Sequence, residues 1–322
     1  MMPLTEIHAM STTVDGDGSS PVADTLAAPW QVAPRRALFR RSSATHVFAV
    51  RDPAFPYGAR YLRAVPAAHR DPARVAGSAR LVADLARLGA GVAAAVPSAH
   101  GRLVETVSTE LGDYHVMLVE GAAGSPIRIA DLTPARARRW GAALAGLHGL
   151  KVEPLPPATI DLRRAESAFP DDPPLVAAIL SLADRVDALP RDDAVFGLTH
   201  NDFELDNLAW DGDTVTAFDF DDAGASWFAA DISKAVDELP GREGSPLFDA
   251  FVSGYRSVRG LDDDGLAWVP LFDLARAADT VIVLRHVLDV VPGSGHPQWL
   301  HGLHGALQRL MAQERDRLLG LA

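Results

Sequence analysis

The chain has 322 residues, 48% of them hydrophobic, with 42 acidic against 30 basic residues and a formal net charge of −12. That apolar content builds a packed core, and the acidic balance argues against a nucleic-acid groove or an anionic membrane surface, which need clustered Lys and Arg. The absence of cysteine excludes disulfides, thiolate metal sites and thiol nucleophiles.

A reducing cytoplasm is compatible with these features and is the expected compartment. No uninterrupted apolar run reaches the roughly 18–20 residues of a bilayer span. The longest apolar helix candidate, Leu271 to Val291, carries Asp273, Arg276, Asp279, Arg285, His286 and Asp289. Lysine occurs only at Lys151 and Lys234, while Arg and Ala dominate.

Residues 1–27, rich in Ser, Thr, Gly and Asp, are expected to be a flexible tail, because such a stretch buries too little surface to offset ordering entropy. Residues 28–121 alternate short strands with one helix. Thr45 to Val50 and Arg60 to Val65 are β-branched and aromatic, as strands should be. Asp71-Pro72 opens a helix, with Asp as N-cap and Pro at the first helical position. Val75, Leu81, Val82, Leu85 and Leu88 give it an apolar stripe, and Gly89 stops it. Arg102 to Val107 and Tyr114 to Val119 read as two further strands. After Glu120-Gly121 the pattern turns helical, and residues 122–322 form the expected second lobe. Pro134 to His148 and Leu175 to Leu189 are helices. Val195 to Leu198 is a short buried strand leading into His200. Asn207 to Asp222 reads as a hairpin turned at Asp211-Gly212. The class is α+β.

The dense polar cluster is T-H-N-D-F-E-L-D-N-L at 199–208, followed by A-F-D-F-D-D-A-G at 217–224. The hairpin folds the second string back beside the first. Asp202, Asn207 and Asp219 then converge, and three oxygen-bearing side chains suit a hard divalent cation such as Mg.

The paired motif, H-N-D-x-x-x-x-N followed by a hydrophobic residue and D-F-D, resembles the catalytic and metal-binding loops of the aminoglycoside phosphotransferase and choline kinase family. The resemblance implies a bilobal protein-kinase-like fold and an ATP-dependent small-molecule phosphotransferase. Its acceptor is a hydroxyl of an amino sugar, amino alcohol or similar metabolite, with a cationic acceptor favoured. By the same resemblance Asp202 is the catalytic base, and Asn207 and Asp219 are Mg ligands. Asp221, Asp222, Glu204 and Trp227 are candidates for facing the substrate. His148, His200 and Asp231 are expected to be structural.

The nucleotide half departs from the family pattern. Arg63, in Y-L-R-A-V, stands where a Lys usually holds phosphate. The helix Glu that would orient that cation is missing: its slot falls near Ser78, and no Glu occurs from 51 to 104. Arg41-Ser42-Ser43-Ala44-Thr45 replaces a Gly-rich loop, so the Ser43 hydroxyl is the expected phosphate contact there. Glu120 and Gly121 are the expected hinge against adenine. The missing Glu motivates a second reading, a catalytically weak nucleotide- or metabolite-binding module.

Overall fold

The computed structural model describes residues 1–156, 161–239, 242 and 244–320; the last two residues of the expected second lobe lie outside it. Two helices, α1 (Leu4–Thr12) and α2 (Pro21–Ala27), precede the first strands. The sheet is built from β1 (Ala37–Ser42), β2 (His46–Arg51), β3 (Ala59–Pro66), β4 (Ala95–Val96), β5 (Glu105–Thr109) and β6 (Gly112–Glu120), with α3 (Pro72–Arg87) between β3 and β4. β1, β2, β3 and β6 are successive antiparallel neighbours, and β4 and β5 share the far edge of β6. β2 is buried at every position but Arg51, so it reads as a continuous apolar run.

The expected flexible tail is instead ordered. Leu4, Ile7 and Met10 recur at helical spacing and are buried. Met2, Leu4 and Ile7 join a cluster with Val65 of the sheet and with Leu284, Val287, Leu300 and Leu307 far along the chain. Val22, Ala23, Leu26 and Ala27 of α2 complete a second cluster with Ala37, Phe48, Leu62, Tyr114, Val116 and Leu118. The polar residues between the helices close a local turn rather than a loose linker. Asp15 Oδ1 accepts from the backbone N–H groups of Asp17 (3.0 Å) and Ser19 (2.9 Å). Composition alone hid these few well-placed apolar residues.

The second half carries α4 (Pro134–His148), α5 (Ala165–Ala168), α6 (Pro173–Asp187), β7 (Phe196–Thr199), β8 (Leu208–Asp211), β9 (Thr214–Ala217), β10 (Gly224–Trp227) and α7 (Phe228–Ala235). It ends in α8 (Pro246–Arg256), α9 (Asp263–Ala267), α10 (Val269–Val287) and α11 (Gln298–Leu318). β8 and β9 form the hairpin expected at Asp211-Gly212, with Asp211 opposite Thr214 and Gly212 at φ +58°. β7 and β10 form a separate antiparallel ribbon. Leu81, Val82 and Leu85 of α3 join the helical core, so α3 ties the sheet to the second half. Among the described residues no helix is long and apolar enough to cross a membrane.

α4 and α8 cross almost backbone to backbone. A Cβ on Gly254 would lie 1.8 Å from the Arg138 carbonyl oxygen, and one on Gly141 would lie 2.0 Å from that of Phe251. Gly254→Ala is therefore expected to destabilise by about 2 kcal/mol or more, since neither backbone can yield without repacking the core. Gly146→Ala, later in α4 with nothing within 4 Å of the added carbon, is expected to be neutral or to stabilise by about 0.5–1 kcal/mol. Paired denaturant titrations of the two variants check both signs.

Candidate active site

The loop after β7 is organised by one buried carboxylate. Asp231, in α7, is fully buried and accepts the backbone N–H of His200 at 2.6 Å and of Asn201 at 2.9 Å. His148 Nε2 lies 3.0 Å from the same carboxylate, and its Nδ1 lies 2.7 Å from the Tyr255 hydroxyl. Burial holds the His148 imidazole below its ordinary value, outweighing the charge of Asp231. His200 sits between the rings of Phe203 and Phe220, with Nε2 3.1 Å from the Phe218 carbonyl. The loop turns at Asn201, whose φ of +62° suits an Asn better than most residues, and Asp202 follows.

Asn207 ends a short 3₁₀ turn, Leu205–Asn207. Its Nδ2 donates to the Asp202 carbonyl at 3.0 Å and to Asp202 Oδ2 at 2.7 Å. Its own Oδ1 is buried and has no partner among the described residues. Phe218 N donates to the Asn207 carbonyl at 3.0 Å, which brings the strand leaving the hairpin beside the loop. One residue later Asp219 adopts φ +69°. The orphaned amide oxygen and the Asp219 carboxylate fit a hard divalent ion. No group of three or more His, Cys, Asp or Glu among the described residues is arranged to hold a metal. An ion bound here would draw its remaining ligands from phosphate and water.

Arg63 is 8% exposed and meets two carboxylates through one nitrogen. Its Nη2 lies 2.5 Å from Asp219 Oδ1 and 2.8 Å from Asp221 Oδ2. Burial works against ionisation of Asp219, but the charge and hydrogen bond of Arg63, helped by Arg41, hold its carboxyl below the usual range. Ser78 does stand on the helix face toward this cation, lining the cleft with it. Its hydroxyl is buried and unpartnered. The missing helix Glu is thus replaced by Asp221, from the hairpin side of the cleft.

Asp202 is braced on its other oxygen by Lys234, whose Nζ lies 3.1 Å from Oδ1 and 2.6 Å from Glu204 Oε1. Burial raises Glu204 above the ordinary carboxylate range despite Lys234. Asp222 is walled in and raised by burial, although 41% of its side chain still reaches solvent. Burial, together with the negative charge of Asp222, pushes Asp279 of α10 up to about 6.

Between sheet and helices lies a cleft of about 280 Å³. Val47, Val82, Ala93, Met117 and Val119 give it an apolar slot, and Arg63, Asp219 and Asp221 a polar end. Glu120 and Gly121 line it, but their N–H groups are already bonded to the carbonyls of Ala94 (2.8 Å) and Ala59 (2.9 Å). Ser43 does not line the cleft; its carbonyl accepts from Met2 N at 2.7 Å. Trp227 is also elsewhere: it is 7% exposed, donates to the Pro190 carbonyl at 2.9 Å and packs on Phe196. Sequence reading passed over Arg40, Arg41, Lys234 and Asp279. One available signal was the rarity of lysine, which makes Lys234 conspicuous three residues after Asp231.

Asp231→Asn would turn one amide group toward the N–H donors of the loop, and a loss of about 3–5 kcal/mol is expected. Denaturant unfolding measures it. Asp279 holds its proton more tightly in the folded chain than in the unfolded one. Its stabilising contribution is therefore complete below the ordinary carboxylate pKa and is lost as pH rises through about 6. Asp279→Asn should raise the melting temperature at pH 8 and much less at pH 4; equal gains at both would contradict the assignment.

Residues 37–269 match the family model described as the phosphotransferase enzyme family. An uncharacterized protein of Deinococcus radiodurans is 30% identical over 235 residues, 67% of this chain and 68% of that protein. Amicoumacin kinase of Bacillus subtilis is 32% identical over 118 residues, 34% of this chain and 32% of that one. Among solved structures, an amicoumacin kinase in complex with AMP-PNP, Ca2+ and Ami superposes with a TM-score of 0.78 at 21% identity, covering 97% of this chain and 96% of its own. A microcompartment-associated aminopropanol kinase gives a TM-score of 0.66 at 22% identity, covering 93% and 97%. These likenesses show the expected kinase-like α+β fold, and with the match over more than half its length the chain belongs to the phosphotransferase enzyme family.

Proposed function

We propose that the chain is a Mg-dependent kinase that transfers the γ-phosphoryl group of ATP to a hydroxyl of a small cationic acceptor, an amino alcohol or amino sugar. The observation that carries this is Asn207, which holds Asp202 through its amide nitrogen while its buried amide oxygen stands unpartnered in the loop beside Asp219. Residues 28–121 then form the nucleotide lobe and 122–322 the catalytic and acceptor lobe.

In this reading the acceptor hydroxyl oxygen attacks the γ-phosphorus, the bond to the β,γ-bridging oxygen breaks, and ADP leaves. Asp202 takes the hydroxyl proton. Its two oxygens are fixed by Asn207 and Lys234, so it is oriented before the acceptor arrives. Bound Mg, held by Asn207 and Asp219, would neutralise charge on the phosphate oxygens. Arg63 keeps Asp219 ionised and in place. The apolar slot ending at Glu120 and Gly121 takes the base.

Burial raises the proton affinity of both Asp222 and Asp279, and the charge of Asp222 raises that of Asp279 further, an acidic wall suited to an acceptor cation. The names of two similar proteins, amicoumacin kinase and aminopropanol kinase, support a small-molecule acceptor, and the second names an amino alcohol. Ser78 in the Glu position favours the second reading, a catalytically weak module, but Asp221 supplies Arg63 with the carboxylate that Ser78 lacks.

ATP with Mg is expected to raise the melting temperature of the wild type and not of Asp219→Ala. Asp202→Asn should keep that shift while kcat falls by about 10²–10⁴ on a panel of amino alcohols and amino sugars. Nucleotide binding without phosphorylation of any acceptor would establish the module reading instead. No shift with any nucleotide at millimolar concentration would remove the kinase reading and leave a metabolite-binding module.

A further inference from the structure

Beyond the metal, the nucleotide reading leaves the phosphates without an obvious basic side chain. The β3 cation, Arg63, is buried and already spends its Nη2 on Asp219 and Asp221. The loop between β1 and β2 has no glycine to bring backbone N–H groups onto a phosphate, and its Ser43 does not line the cleft.

The sheet register shows what stands there instead. Phe39 pairs with Phe48, but the next paired residue, Arg41, faces Val47, so Arg40 is an extra residue in β1. Such a bulge breaks the alternation of faces and re-aims the side chains around it. The result is that two consecutive residues, Arg40 and Arg41, both line the cleft, where a regular strand would present one. Arg41, Val47, Arg63 and Met117 then form one row across four strands on the cleft face. Arg41 is the outermost cation of that row. Its side chain is 49% exposed and touches Asp219 through a single 3.2 Å contact. Arg40 makes no ion pair among the described residues. Both are exposed and line the cleft with the carboxylate proposed to hold the metal.

We infer that Arg41, assisted by Arg40, is the polyphosphate-binding element of this cleft, and that the β1 bulge exists to present the pair. Arg41 exchanges its contact with Asp219 for the phosphate oxygens of the bound nucleotide, which releases Asp219 to a metal ion. Arg63 remains with its two carboxylates and positions them. The inference rests on the nucleotide reading for its biological ligand, but the anion site stands on the bulge and the row.

The test is calorimetric binding of Mg-ATP, adenosine and inorganic tripolyphosphate to the intact wild type, Arg41→Gln, Arg41→Lys and the double variant Arg40→Gln/Arg41→Gln. Exposure of both side chains means that these variants should fold, and melting curves check it. Arg41→Gln is expected to weaken Mg-ATP and tripolyphosphate about 10-fold or more, the loss of a charge-assisted contact, with adenosine within about twofold. The double variant should lose more, and Arg41→Lys should recover part. Unchanged Mg-ATP affinity in the double variant overturns the inference and leaves the nucleotide reading intact. Equal loss of adenosine overturns it as well, since the arginines would then only shape the cleft. Wild type that binds tripolyphosphate through Arg41 but no nucleotide would keep the anion site and sink the kinase reading.

Discussion

Asp231 receives two successive backbone N–H groups and an imidazole in the middle of the core, and the geometry of the site hangs from that carboxylate. A buried charge is tolerable only when its lone pairs are taken up by donors. Here the donors are the first two residues of the catalytic-type loop, so satisfying Asp231 fixes where Asp202 emerges. His148 completes the set and links the loop to Tyr255 on α8 through its second nitrogen. Trp140 adds a further anchor by donating to the Phe203 carbonyl at 3.0 Å. The close glycine crossing of α4 and α8 holds both anchors at the right depth.

A second set of charges works across the cleft rather than beneath it. Arg63 comes from the sheet, while Asp219 and Asp221 come from beyond the hairpin, so their pairing clamps the two halves together. In a kinase-like frame the usual clamp runs from strand to helix within one lobe. Here the second carboxylate on Arg63 is Asp221, and Ser78 stands at the α3 position. The same pairing occupies Nη2 of the strand cation, the observation behind the role proposed for the exposed arginines of β1.

The first 27 residues add a third tie between the halves. Met2 and the α1 residues Leu4 and Ile7 pack with Val65 of the sheet and with the α10–α11 pair, and α2 covers the rear of the sheet. A segment with this composition is stable only because the cores it covers would otherwise expose apolar surface. The energy that orders it therefore belongs to contacts far away in sequence.

The amino-acid sequence determined the α+β class, the helices that open at Pro72 and Pro134, and the Asp211-Gly212 hairpin that returns the chain beside the Asp202–Asn207 loop. Each of these rests on local periodicity, caps, turn chemistry and short spacings, which are written in consecutive residues. Tertiary structure alone decided the rest. It gave Arg63 the partner Asp221, 158 residues away, placed Lys234 on Asp202, removed Ser43 and Trp227 from the cleft, and ordered residues 1–27. A one-residue bulge in β1 turned Arg40 and Arg41 to the same face, and a bulge has no signature in an Arg-Arg pair. Charge pairs and packed clusters of this kind depend on distance in space, and a one-dimensional pattern carries no record of which distant residues will be brought together.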